Sequence, residues 1–164
     1  FDLTCIALTQ LACIIYGLSL IYPQRPLLQI LADDGVHIYT AAELQIYKMD
    51  VNTLNLPDRQ PHNVLLDLPP DQSSINSLRM VHELLKGKPF ALSEDLYLPA
   101  SAAGDTQIKQ RITSIETRIK PKTAEFITGL DKYQDCSWLP LFSIHALGVV
   151  CYNPEKGVTN IVTR

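Results

Sequence analysis

From Leu3 to Tyr22 the chain runs for 20 residues without a Lys, Arg, Asp, Glu, His or Pro. A helix rises about 1.5 Å per residue, so such a run reaches about 30 Å, the thickness of a bilayer's hydrocarbon core. The pattern predicts a transmembrane helix within residues 1–22, in contact with membrane lipid around residues 3–22. Thr4, Thr9, Gln10, Tyr16 and Ser19 dilute its apolarity and argue for a buried core helix instead. Core helices, however, are usually shorter and carry charge along one edge. A secretory signal peptide would need a basic leader, a shorter apolar core and a small-residue cleavage site. The flanks Phe1-Asp2 and Tyr22-Pro23-Gln24-Arg25-Pro26 supply none of these. Phe1 is not Met, so the chain is expected to continue upstream.

Beyond Tyr22 the periodicity changes to that of an α+β domain, taken as residues 23–164, with β-hairpins at its start and end. Leu27 to Ala32 and Val36 to Tyr39 flank the turn residues Asp33-Asp34-Gly35 and predict the first hairpin. Thr40-Ala41-Ala42-Glu43 fits a capping box, so a short helix should begin at Ala41. Asn63 to Leu68 reads as a further strand, closed by Pro69-Pro70, after which Asp71 can cap a helix through Lys86. In that helix Ile75, Leu78, Val81, Leu84 and Leu85 recur at helical spacing and predict one buried face, with Gly87 as the stop. Ile108, Ile112, Ile115 and Ile119 predict a second amphipathic helix over Thr106–Ile119, halted before Pro121, and Thr123 to Leu130 a third. Ser137 to Ile144 and Ala146 to Tyr152 are strand-like, and Asn153-Pro154-Glu155-Lys156-Gly157 turns into a last strand, Val158 to Val162. Leu56–Pro61 and Pro99–Asp105 read as loops.

Composition adds exclusions. From residue 23 onward there are 16 acidic and 14 basic side chains, a net charge of −2, which argues against nucleic acid as a partner. Cys5 and Cys13 fall in the membrane run and read as inert packing residues. Cys136 and Cys151 lie near strand-like segments of the domain; they could bridge if those strands are neighbours, or stay reduced and buried, and spacing leaves both open.

Chemistry is sparse. His82-Glu83 resembles the start of a zinc-protease motif, but Lys86 stands where the second His would be. The four histidines, at 37, 62, 82 and 145, lack ligand spacing, no glycine loop could cradle phosphate, and no nucleophile elbow occurs. Neither an enzyme nor a cofactor or metal site is expected. A pocket gathering polar groups such as His62, Asp67 and Glu94 would reopen that question. Lys109, Arg111, Arg118, Lys120 and Lys122 crowd into fourteen positions against Glu116. They are a candidate docking face for an acidic partner or lipid headgroups, or simply the wet side of the Ile108–Ile119 helix. In the membrane run Gln10 could hydrogen-bond across a helix pair, and Ala7, Ala12, Gly17 and Ser19 permit close helix approach. Those contacts could serve self-association, a foreign helix, or upstream helices of the same protein.

The order of these features resembles the type IV pilin accessory protein family. The shared pattern is an F-D-L start, an apolar helix with a Q-L-A step and a Y-G, and a Y-x-x-R-P junction into a periplasmic hairpin. The matching residues are Phe1, Asp2, Leu3, Gln10, Leu11, Ala12, Tyr16, Gly17, Tyr22, Arg25 and Pro26. Trp138-Leu139-Pro140-Leu141, a strand, a turn with Gly157 and a last strand extend the likeness at the other end. The match covers about the first 45 residues closely and the last 30 loosely. Family members carry further membrane helices ahead of this one and run on past the last strand. The resemblance implies a bacterial inner-membrane protein with its domain in the periplasm. It further implies a non-enzymatic role in type IV pilus assembly, with a pilin subunit as partner. The alternative is a membrane-anchored periplasmic sensory or ligand-binding domain.

Overall fold

The structure is a computed structural model that describes residues 3–54, 56, 61–68, 73–127, 137–144 and 146–163, with side chains described outside 73–75 and 119–127. It is a mixed α+β chain: an N-terminal apolar helix followed by a seven-stranded mixed sheet.

Helix α1 spans Leu3–Ile21 and none of its residues is buried. It is long and apolar enough to cross a membrane. Its polar residues are partly neutralised from within. Thr9 Oγ1 donates to the Cys5 carbonyl at 2.9 Å and Ser19 Oγ to the Tyr16 carbonyl at 2.7 Å, so these hydroxyls need no outside partner in lipid. A 3₁₀ turn over Tyr22–Gln24 follows, and the Arg25 guanidinium lies 3.7 Å from the centroid of the Tyr22 ring.

Strands β1 (Pro26–Leu31) and β2 (Val36–Thr40) form the antiparallel first hairpin. Gly35 belongs in its turn because any Cβ there would fall 2.5 Å from the Pro140 carbonyl oxygen. Helix α2 (Ala41–Ile46) begins where the capping box places it. Thr40 Oγ1 accepts from the Glu43 amide, and the Glu43 carboxylate accepts from the Thr40 amide at 2.6 Å. After a 3₁₀ turn at Val51–Thr53, β3 (His62–Leu66) returns parallel to β1. Helix α3 (Ser73–Leu85) and two 3₁₀ turns lead to β4 (Tyr97–Pro99), antiparallel to β3. Helix α4 (Asp105–Ile127) precedes β5 (Ser137–Phe142), which is parallel to β2. Strands β6 (Leu147–Asn153) and β7 (Gly157–Thr163) close the chain as an antiparallel hairpin. The sheet order is β4-β3-β1-β2-β5-β6-β7.

The central strands are apolar on both faces because both faces are covered. On one side Leu28, Ile30, Tyr39, Val64 and Leu66 meet Leu44 of α2, together with Leu92 and Leu96 from the 3₁₀ turns. On the other, Leu31, Val36, Ile38, Leu65, Leu139 and Val150 meet Ile108, Ile112 and Ile115 of α4.

Three expectations are corrected. The face of α3 predicted to be buried is exposed: Leu78, Val81, Leu84 and Leu85 are 71, 55, 71 and 82 % exposed. Helix α4 runs on to Ile127 and does not stop before Pro121, so the separate helix expected from Thr123 merges with it up to that point. Proline removes only one bond of the helical ladder, and propensity is a weak prior against the bonds that remain. The stretch read as a loop from Pro99 begins at the end of a strand, since Pro99 pairs with Val64. Asp71, the expected cap, lies outside the described residues.

Candidate functional site

Four surfaces hold the candidates. On α1, Gln10 is exposed and shares a shallow groove with Cys5, Ile6 and Thr9. A Cβ at Gly17 would meet nothing within 4 Å. Nothing in the fold therefore requires glycine there, and both residues face what surrounds the helix.

The basic face of α4 divides. Arg111 is only 13 % exposed in its side chain and forms an ion pair with Asp33 in the β1–β2 turn. Burial, with Arg118 nearby, pushes the Arg111 guanidinium below its ordinary pKa. Arg118 donates to the Asp33 carbonyl at 2.6 Å and to the Ser114 carbonyl at 3.3 Å. These two arginines clamp α4 to the hairpin, while Lys109 stays exposed on the outer side. Lys120 and Lys122 have no described side chains. In the clamped turn, burial tends to raise the Asp34 carboxyl, but its hydrogen bond with His37 and that ring's charge, aided by Arg118, bring it below the ordinary value. The His37 contact is 2.9 Å, and His37 stacks on Phe142.

Helix α3 is turned inside out. Its better-covered side carries Asn76 and Glu83, and it is tied to the following loop by Arg79–Asp95 at 3.0 Å. Leu78, Met80, Val81, Leu84 and Leu85 fill almost half of its circumference and are all exposed. The periodicity is visible in the sequence; its outward direction is not. His82 is exposed beside Glu83, which pairs with Lys86 at 3.0 Å.

The fourth surface is a pocket of about 270 Å³ where four segments meet. The start of β3 supplies His62 and Asn63, the chain after β4 supplies Ala100, Ser101 and Ala103, α4 supplies Asp105, and the β6–β7 end supplies Tyr152, Pro154, Glu155 and Gly157. The hairpin is pulled back over the sheet to reach it, since the Val158 amide donates to Gln29 Oε1 at 3.3 Å. Gly157 has φ +74°, and a Cβ there would sit 2.7 Å from Asn63 Nδ2. Glycine is thus required both by the turn and by the amide lying against it. Asn153 Oδ1 accepts from the Glu155 and Lys156 amides and shapes the same turn. Burial pushes the Tyr152 hydroxyl up to about 12.

The structure does not bring His62, Asp67 and Glu94 together. His62 is in the pocket, the Asp67 amide bonds to the Leu96 carbonyl beyond the other end of β3, and Glu94 pairs with Lys88. Among the described residues no three His, Cys, Asp or Glu side chains are grouped to hold a metal ion. Cys151 is disulfide-bonded and accepts from Thr159 Oγ1 at 3.0 Å, whereas Cys5 and Cys13 are free. Cys136, the expected partner, lies outside the described residues. No family model, curated protein or solved structure matches the chain.

Proposed function

We propose that this chain is a non-enzymatic accessory factor for type IV pilus assembly. In this reading α1 anchors it in the bacterial inner membrane, the α+β domain faces the periplasm, and a pilin subunit is the partner. The observation that carries the docking role is the outward apolar face of α3 on a domain joined directly to a membrane-length helix. Monomeric soluble proteins rarely leave such a contiguous patch uncovered, and larger ones mark interaction sites. The sequence resemblance supplies the identity of the partner. A pilin subunit is itself a membrane helix carrying a periplasmic head, so confinement to one membrane raises the effective concentration of the pair and weak contacts suffice.

Photocrosslinking in cells tests the proposal, with probes replacing Gln10 on α1 and Leu84 on α3. Capture of the pilin at Leu84 is the expected result, and Leu84→Glu combined with Leu85→Glu should abolish it while the domain stays folded. Capture only of copies of the same chain, with pilin present, would overturn the pilus role.

The second reading, a membrane-anchored ligand-binding domain, draws on the polar pocket. It predicts that crosslinking at Leu84 finds no pilin and that changes in the pocket alter signalling or uptake.

A further inference from the structure

At the end of α1 an open groove of about 590 Å³ runs from the last turns of the helix onto the 3₁₀ turn. Ile15, Leu18 and Ile21 of the apolar run line one part of it, and Tyr22, Pro23 and Arg25 line the other. Ser19 also borders the groove, but its hydroxyl is engaged with the Tyr16 carbonyl at 2.7 Å and adds no free donor. Helix α1 has 19 residues, a rise of about 28 Å at 1.5 Å per residue. Once it spans a bilayer, its last turn emerges where acyl chains give way to headgroups. The groove therefore straddles that boundary, with aliphatic side chains on the hydrocarbon side and the tyrosine and arginine beyond it, where such residues anchor membrane helices.

Charge selects the occupant. Arg25 is the only charged residue of the lining, and no carboxylate stands there to neutralise it. Its guanidinium lies 3.7 Å from the centroid of the Tyr22 ring. Its Nε is buried, and the two terminal amino groups are not. A guanidinium seated on a ring keeps its N–H groups in its own plane, as a fork that matches two oxygens of a phosphate. The main chain holds the residue in place, since the Arg25 carbonyl accepts from the Ala41 amide at 3.2 Å. A free inorganic anion would meet the fork and leave the Ile15, Leu18 and Ile21 side unfilled. A zwitterionic lipid would bring a second cation beside Arg25, whereas a lipid of net negative charge neutralises it. We propose that this groove seats one anionic phospholipid, its phosphate held by the Arg25 amino groups and an acyl chain laid along Ile15, Leu18 and Ile21. The proposal rests on the reading of α1 as a membrane anchor and is independent of the pilus role.

The test puts an indole in the groove with Tyr22→Trp, which keeps a ring under Arg25, in a Trp138→Phe background, and reconstitutes the full chain in phosphatidylcholine vesicles. Brominated phosphatidylglycerol or brominated phosphatidylcholine is added in rising proportion and fluorescence quenching is read. Leu11→Trp in the same background reports from near the middle of α1. At the groove, the anionic lipid should reach half-maximal quenching at a mole fraction about fivefold lower than the neutral one. Near the middle of the helix the two lipids should quench alike. Arg25→Gln should erase the preference and Arg25→Lys should keep part of it; the bond to Ala41 uses the Arg25 main chain and survives both changes. Four results would each overturn the lipid site while leaving α1 in the membrane: equal quenching by both lipids at the groove, the same anionic preference at both positions, a preference that persists in Arg25→Gln, or one abolished by inorganic phosphate. An indole near the middle of α1 that neither lipid quenches would overturn the anchor and the site together.

Discussion

Helices α3 and α4 carry the same kind of pattern and end in opposite situations. Ile108, Ile112 and Ile115 of α4 are driven into the sheet, whereas Leu78, Val81, Leu84 and Leu85 of α3 stand in the open. The polar residues diverge in the same way. Arg111 of α4 is largely covered in a contact that ties the helix to the hairpin, while Arg79 of α3 pairs with Asp95 in water. Amphipathicity states that a helix has an apolar side to cover; it does not say that the same chain covers it. In α4 the covering surface is β5 and its neighbours, whereas the apolar face of α3 is left exposed.

That contrast predicts a graded series of effects, measured by denaturant unfolding in micelles with the single Trp138 as probe. Ile115→Ala, at a fully buried position, should cost about 2–5 kcal/mol. Leu84→Ala should cost less than about 0.5 kcal/mol. Equal losses would mean that α3 packs inward after all. Next, Arg111→Ala should cost about 1–2 kcal/mol, because it releases α4 from Asp33 at a largely covered site. Arg79→Ala, whose pair is 44 and 65 % exposed, should stay within about 0.5 kcal/mol. Loss of one cap should fall between these helices in size. Thr40→Ala removes half of the box that starts α2 and should cost about 1 kcal/mol.

The smallest effect concerns pH. The Asp34 carboxyl is held below its ordinary value by His37 against the opposing effect of burial. Its contribution is therefore present above the ordinary carboxylate range and is lost as pH falls through the lowered folded value. Because Asp34 is more than half exposed, the contribution should be only a few tenths of a kcal/mol. Asp34→Asn should flatten the acid limb of the stability curve by that amount. Glu83 on α3 is also lowered, by Lys86, and Glu83→Gln should change the acid limb less than Asp34→Asn does.

How legible each part was follows from how local its cause is. The first hairpin rests on Asp33-Asp34-Gly35, the start of α2 on Thr40 and Glu43, and the last hairpin on the turn from Asn153 to Gly157; each signal lies within a few residues of the structure it makes. The parallel pairings of β1 with β3 and of β2 with β5 have no such mark, since the first depends on a connection through β2 and α2 and the second on one through α2, β3, α3, β4 and α4. The pocket was hidden for the same reason. His62, Asp105 and Glu155 look unrelated in a linear reading, and only the return of the β6–β7 turn onto Gln29 and Asn63 makes them neighbours. Gly157 was visible as a turn residue, while its contact with the Asn63 amide required the fold. The two arginines were visible as a basic cluster, but their engagement with Asp33 needed the hairpin beside α4.

The 3₁₀ turn at Tyr22–Gln24 leaves almost no slack between α1 and the sheet. Pro23 and Pro26 restrict the backbone there, Arg25 rests on Tyr22, and its carbonyl accepts from the Ala41 amide at the start of α2. A flexible linker would let the domain sample every bearing about the axis of α1, whereas this junction transmits the rotational setting of α1 to the domain as a keyed shaft does. One alanine inserted in the middle of α1 would swing the domain by about 100° and raise it by only about 1.5 Å. Azimuth, far more than height, thus decides which face of the domain is presented to a given side of α1.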